Sequence, residues 1–226
     1  MDLNTRTPRT VEFVLDLICV HSYIAFTRFS RAAALYRDAG GVVDIVFRPC
    51  QVAPDAPASG RPLFEVHKAA FGEQQARAIA QDTSFGAEDG LRVDFERAVH
   101  TNTFEAHRLL ATAASQGAGE AMAERLFRAY MTDGLNIGDP GTLARLAAEI
   151  GVGVEVEVGV GVEQSEDGAA ALTAELDRMR GLGITSVPLI LFDNGTAFSG
   201  SQPESVYLKA LATPPVPASA WKGRHR

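Results

Sequence analysis

Cys19 opens the tetrapeptide Cys19-Val20-His21-Ser22, at the point where an apolar run gives way to a helical pattern. A sulfur at the start of a helix faces backbone N–H groups that have no partner within the helix, and these stabilise a thiolate. His21 is close enough in sequence to move protons or lend charge, and Ser22 to hydrogen-bond the sulfur. On position alone, a packed structural cysteine is an equally good reading. Val187-Pro188 is the second feature. A proline opening an apolar strand after Ile184-Thr185-Ser186 suits a cis peptide that bares a backbone edge for a substrate chain. An ordinary trans proline at a strand end is the plainer alternative. Cys50, the only other cysteine, follows a second apolar strand. It is either packing or a second thiol, and a bridge to Cys19 needs Cα atoms within about 7 Å.

These residues need elements to hold them. Val11–Ile18 reads as a buried strand despite Glu12 and Asp16, with Cys19 closing it. His21 or Ser22 stands at the N-cap position of a helix carrying Tyr23, Ile24, Phe26, Phe29, Ala33 and Tyr36, which Gly40-Gly41 ends. Val42–Phe47 is a second strand, so the chain opens with a βαβ unit and parallel pairing. Residues 61–134 read as helical throughout. Their apolar stripes are Leu63, Val66, Ala70 and Phe71; Val99, Phe104, His107, Leu110 and Ala111; and Met122, Leu126, Phe127, Tyr130 and Met131. Asp139-Pro140 caps and opens a further helix. Val152–Glu163 alternates Val with Gly and Glu and is low in complexity, so we read it as a poorly specified connector. Leu172–Leu182 returns to helix. Pro188–Phe192, the turn Asp193-Asn194-Gly195 and Thr196–Gly200 form a hairpin, and Pro203–Leu211 a last helix.

The 226 residues are 46% hydrophobic, enough for a core without metal or disulfide staples. A formal net charge of -7, with 18 Arg and 3 Lys scattered along the chain, argues against nucleic acid or an anionic membrane as partner. No apolar run is long enough to span a bilayer, and the first residues do not read as a signal peptide. The expected compartment is therefore the cytoplasm, where thiols stay reduced. No metal-ligand spacing or phosphate loop is apparent, so no metal or nucleotide cofactor is expected. Ala-rich helix faces allow a homodimer.

Several segments, in one order, resemble the DsbA-like thioredoxin-fold family, in its FrnE-like and 2-hydroxychromene-2-carboxylate isomerase branch. They are Cys19–Ile24, Phe47–Pro54, Asn102–Leu110, Leu126–Tyr130, Ile137–Pro140, Gly183–Pro188 and Phe198–Pro203. The resemblance implies an α/β thioredoxin-like fold, built from residues 11–60 and 135–211. A large helical insertion over 61–134 would separate the N-terminal βαβ from the C-terminal ββα unit, and residues 1–10 and 212–226 would be flexible ends. It implies catalysis by Cys19, His21 and Ser22, and substrate contacts from Val187, Pro188, Tyr23, Asn102 and His107. Dithiol members carry Cys-X-X-Cys where this chain has Cys19-Val20-His21-Ser22, so no second thiol at that turn can resolve a mixed disulfide. A lone thiolate can add reversibly to a conjugated polyene or enone, allow rotation and eliminate. The leading expectation is thus an isomerase of such a small molecule or carrier-bound acyl chain, in a polyketide-type pathway. The alternatives are a monothiol oxidoreductase working with glutathione or a similar small thiol, and a non-catalytic binding module.

Overall fold

A computed structural model describes residues 8–153 and 166–216. Strand β1 (Arg9–Leu15) leads through a short turn into α1 (Val20–Asp38), and β2 (Val43–Pro49) returns parallel to β1 in the register Leu15 with Pro49. The crossover helix enforces this parallel pairing, as its sequence pattern implied. Strands β3 (Arg61–Pro62) and β4 (Val99–His100) pair with each other in a separate two-stranded ladder. Between them lie α2 (Leu63–Phe71), α3 (Glu73–Ala80) and one 3₁₀ turn (Ala87–Asp89). Helices α4 (Phe104–Ser115), α5 (Gly119–Met131), α6 (Pro140–Ile150) and α7 (Glu166–Gly181) precede the hairpin β5 (Leu189–Phe192) and β6 (Ala197–Ser199), and α8 (Glu204–Ala212) follows it. The main sheet runs β2-β1-β5-β6, with β5 antiparallel to both its neighbours.

The fold class is as the sequence implied, and four local expectations need correction. The 61–134 segment is not purely helical: two residues at each end of its first half zip together, too short a ladder to leave a compositional trace. In α2, Leu63 and Val66 are half-buried but Ala70 and Phe71 are exposed, so that stripe is not a core face. Helix α1 starts before His21 and Ser22, with Cys19 itself at the N-cap in extended conformation (φ -93, ψ 113). Residues 9–10 and 212–216 are not loose. Arg9 is 2% exposed, pairs with Asp193 and donates to the carbonyls of Leu211 and Thr213, while the Val216 N–H reaches the Asp193 carbonyl. The Val152–Glu163 expectation falls almost wholly outside the described residues.

The core lies between the sheet and α1, α4, α5, α6 and α8. Phe13 meets Phe26 and Phe29 edge-on, and Phe29 meets Tyr207 likewise. All five residues of the Met122–Met131 stripe are buried, as are Leu143, Leu146 and Ala147 of α6. Asp139 caps α6 by accepting the Thr142 N–H at 2.7 Å, with Pro140 in the first turn. Gly195 closes the hairpin at φ 82, a conformation that favours glycine.

Candidate active site at the first helix N-terminus

Beyond Leu15 the apolar side chains of β1 run out of partners in the sheet, and Asp16-Leu17-Ile18 turns the chain. The Cys19 N–H closes that turn on the Asp16 carbonyl at 3.1 Å, and the Tyr23 N–H then makes the first helical bond to the Cys19 carbonyl. Cys19 therefore sits at the positive end of α1, with no acidic residue in the first turn to oppose a thiolate. The residue is half-buried.

Across from it, the Val187-Pro188 bond is cis, and the Cys19 thiol lies 3.7 Å from the Val187 carbonyl oxygen. The β5 ladder begins at Leu189, so Val187 is not committed to sheet pairing. Pro188 is buried and tied to the hairpin by the Gly200 N–H at 2.9 Å. The structure thus brings Cys19, Val187 and Pro188 together.

The other expected residues have different roles. His21 is exposed at the rim, its ring edge-on to Phe85 at 6.0 Å. Ser22 is fully buried and its Oγ has no hydrogen-bond partner, so it does not hold the sulfur. Tyr23 is 3% exposed, stacked on Phe127 at 5.0 Å and bonded through its hydroxyl to Glu124 at 2.9 Å. It is a core residue rather than a substrate contact. Asn102 also turns out to be scaffold. It accepts from Gln51 Nε2 and from its own Phe104 N–H, and donates to the Pro54 carbonyl at 2.6 Å, clasping the loop after β2 to the start of α4. Gly138 belongs to the same clasp, because a Cβ there would meet Thr101 Oγ1 at 2.1 Å. His107 is buried, turned toward the loop after β2. Its Nε2 is 3.2 Å from the Cys50 carbonyl and 3.6 Å from Asp16 Oδ1.

Cys50 extends the β1–β2 pairing by one bond, from its N–H to the Leu15 carbonyl at 3.0 Å. Burial pushes its thiol up to about 11, and the nearby Asp16 and Cys19 charges push the same way. Asp16 is the residue that sequence reasoning passed over. It is fully buried; Oδ2 accepts the Val52 N–H at 2.6 Å and Oδ1 has no donor. The available signal was a second carboxylate, after Glu12, interrupting the apolar strand pattern three residues before Cys19. Among the described residues, no helix is long and apolar enough to cross a membrane.

A family model described as a DSBA-like thioredoxin domain matches residues 10–212. Among solved structures, a probable DsbA oxidoreductase from Streptomyces coelicolor is 28% identical with a TM-score of 0.77, covering 96% of this chain and 92% of that one. The cytosolic disulfide reductase DsbM from Pseudomonas aeruginosa, solved with GSH, is 20% identical with a TM-score of 0.55, over 89% and 96% of the two chains. A 2-hydroxychromene-2-carboxylate isomerase is 13% identical with a TM-score of 0.57, over 84% and 88%. The last two likenesses are of fold. A search of curated proteins finds no significant match.

Proposed function

Because the chain belongs to the DsbA-like thioredoxin domain family, we propose that it is a thiol enzyme whose Cys19 exchanges with the disulfide of an extended small thiol of glutathione type. One observation carries this reading: the Cys19 sulfur lies against the carbonyl of Val187, whose backbone is outside the sheet ladder. A chain laid along that edge brings its own sulfur to Cys19. The thiolate attacks one sulfur of the disulfide, a mixed disulfide forms on Cys19, and the other half leaves as a thiolate. The helix N-terminus stabilises the attacking charge. In this reading His21, exposed two residues after Cys19, protonates the leaving sulfur. The cytoplasm, where small thiols are abundant and reduced, suits this cycle.

Purified protein incubated with oxidised glutathione and a reduced peptide thiol tests it. Exchange should be fast in wild type and fall at least a hundredfold in Cys19→Ser; equal rates in the two would sink the reading. A second reading, reversible addition of Cys19 to a conjugated polyene or enone, is favoured by Ser22 standing in place of a resolving thiol. It expects double-bond isomerisation with no disulfide present, lost in Cys19→Ser.

A further inference from the structure

We propose that Cys50 is the resolving thiol for Cys19, with the buried carboxylate of Asp16 as its proton acceptor. This deepens the disulfide-exchange reading and rests on it. Its basis is the way three backbone elements converge. The turn after β1 folds Cys19 back onto the Asp16 carbonyl, and the strand pairing places Cys50 beside Leu15 and Asp16. Adjacent paired strands lie about 4.8 Å apart, and the ends of such a turn lie within about 7 Å. Cys19 and Cys50 thus both adjoin Asp16, one through the turn and one across the strand, and the charges of Asp16 and Cys19 both reach the Cys50 thiol. The missing thiol at position 22 is replaced by one reached across the strand rather than along the helix.

Asp16 gives the cluster its second, independent sign. A fully buried carboxylate oxygen without a donor is costly unless it has a task. His107 Nε2 bridges the remaining space, 3.6 Å from that oxygen and 3.2 Å from the Cys50 carbonyl, and the Asn102 clasp fixes the loop that carries Cys50. Tyr130 from α5, whose hydroxyl feels the Asp16 charge, and Arg180 from α7, whose charge reaches Cys50, are the other titratable groups here. Burial keeps Cys50 protonated at neutral pH, so it needs a local base before it can attack.

The balance closes with a small disulfide as oxidant. Cys19 thiolate attacks oxidised glutathione, forming Cys19–S–S–glutathione and releasing one glutathione thiolate. Cys50 gives its proton to Asp16 and attacks the Cys19 sulfur. The Cys19–Cys50 bond forms, and the second glutathione leaves as a thiolate, which takes the proton from Asp16. Two protein thiols are oxidised and one glutathione disulfide becomes two glutathione thiols.

The experiment is acid-quenched oxidation of the full chain by oxidised glutathione, read by intact mass, alkylation and peptide mapping. Wild type should end with a Cys19–Cys50 disulfide and no glutathione. Cys50→Ser and Cys50→Ala should both stop with one glutathione on Cys19. Asp16→Asn should be glutathionylated at the wild-type rate but resolve at least tenfold more slowly at pH 7, the gap narrowing as pH rises. Wild type that keeps glutathione on Cys19 while Cys50 alkylates freely would overturn the resolving role. Asp16→Asn resolving at the wild-type rate would overturn the proton-acceptor role. If that variant does not fold by circular dichroism, Asp16→Ser, read for rescue of resolution as pH rises toward that of free thiols, decides the same point. Failure of Cys19 to take glutathione in any variant would end both this proposal and the disulfide-exchange reading.

Discussion

Ser22→Ala should make the protein more stable and leave its thiol chemistry unchanged. The Ser22 hydroxyl is fully buried and makes no hydrogen bond. Holding such a group out of water costs about 1–3 kcal/mol. Alanine removes that cost and is a better helix former by roughly 0.5 kcal/mol. The void left by one oxygen, roughly 15 Å³, takes back about 0.4 kcal/mol at about 24 cal/mol per Å³. The sum is a gain of about 2 kcal/mol, or a rise of roughly 4–8 °C in Tm for a domain of this size. Denaturant titration with matched m-values, alongside thermal unfolding, measures the first part. Alkylation of Cys19 at pH 7 measures the second and should change less than twofold. A loss of about 1 kcal/mol or more, together with slowed alkylation, would refute the reasoning. The hydroxyl would then have a partner in solution.

Two further outcomes follow from the same geometry. In a Cys19→Ser background, alkylation of Cys50 should climb about tenfold per pH unit, because only the thiolate reacts. It should level off slightly below the value of about 11 set by burial, since the Cys19 charge is gone; a plateau below pH 9 contradicts this account. Arg9→Met should cost about 3 kcal/mol in chemical denaturation, because it leaves the Asp193 carboxylate and the Leu211 and Thr213 carbonyls short of a buried donor. Disulfide exchange at 25 °C should be unaffected, and a neutral effect on stability would show that the clamp contributes little.

The parts of this fold that were legible in the sequence are those where one local signal and one packing need agree. The α5 stripe from Met122 to Met131, the Asp139-Pro140 helix start and the Asp193-Asn194-Gly195 turn each combine periodicity or turn chemistry with burial, and each is found where expected. Cys19 and Pro188 were legible as candidates, yet their meeting depends on β1 and β5 being neighbours, which no local pattern encodes. Asn102 and His107 were expected as ligands from the family resemblance, which sets their stretch near the cleft. Here they face the loop after β2, whose backbone groups needed partners. Tyr23 misled for a related reason, since its hydroxyl finds Glu124, 101 residues away, and lets the ring sink into the core. Asp16 went unread because a charge inside a strand usually marks an exposed position, and only tertiary contact shows it sealed.

Strand β1 joins two opposite conditions. Its first residue, Arg9, is locked by several hydrogen bonds, while Cys19, four residues past its last residue, is only half-buried, with about 20 Å of strand between the two ends. The anchorage and the candidate nucleophile are therefore housed toward separate poles of one rod. Selection or engineering can harden the clamped pole without touching the cysteine, and can recast the surroundings of the cysteine while the anchorage of the molecule stays as it is.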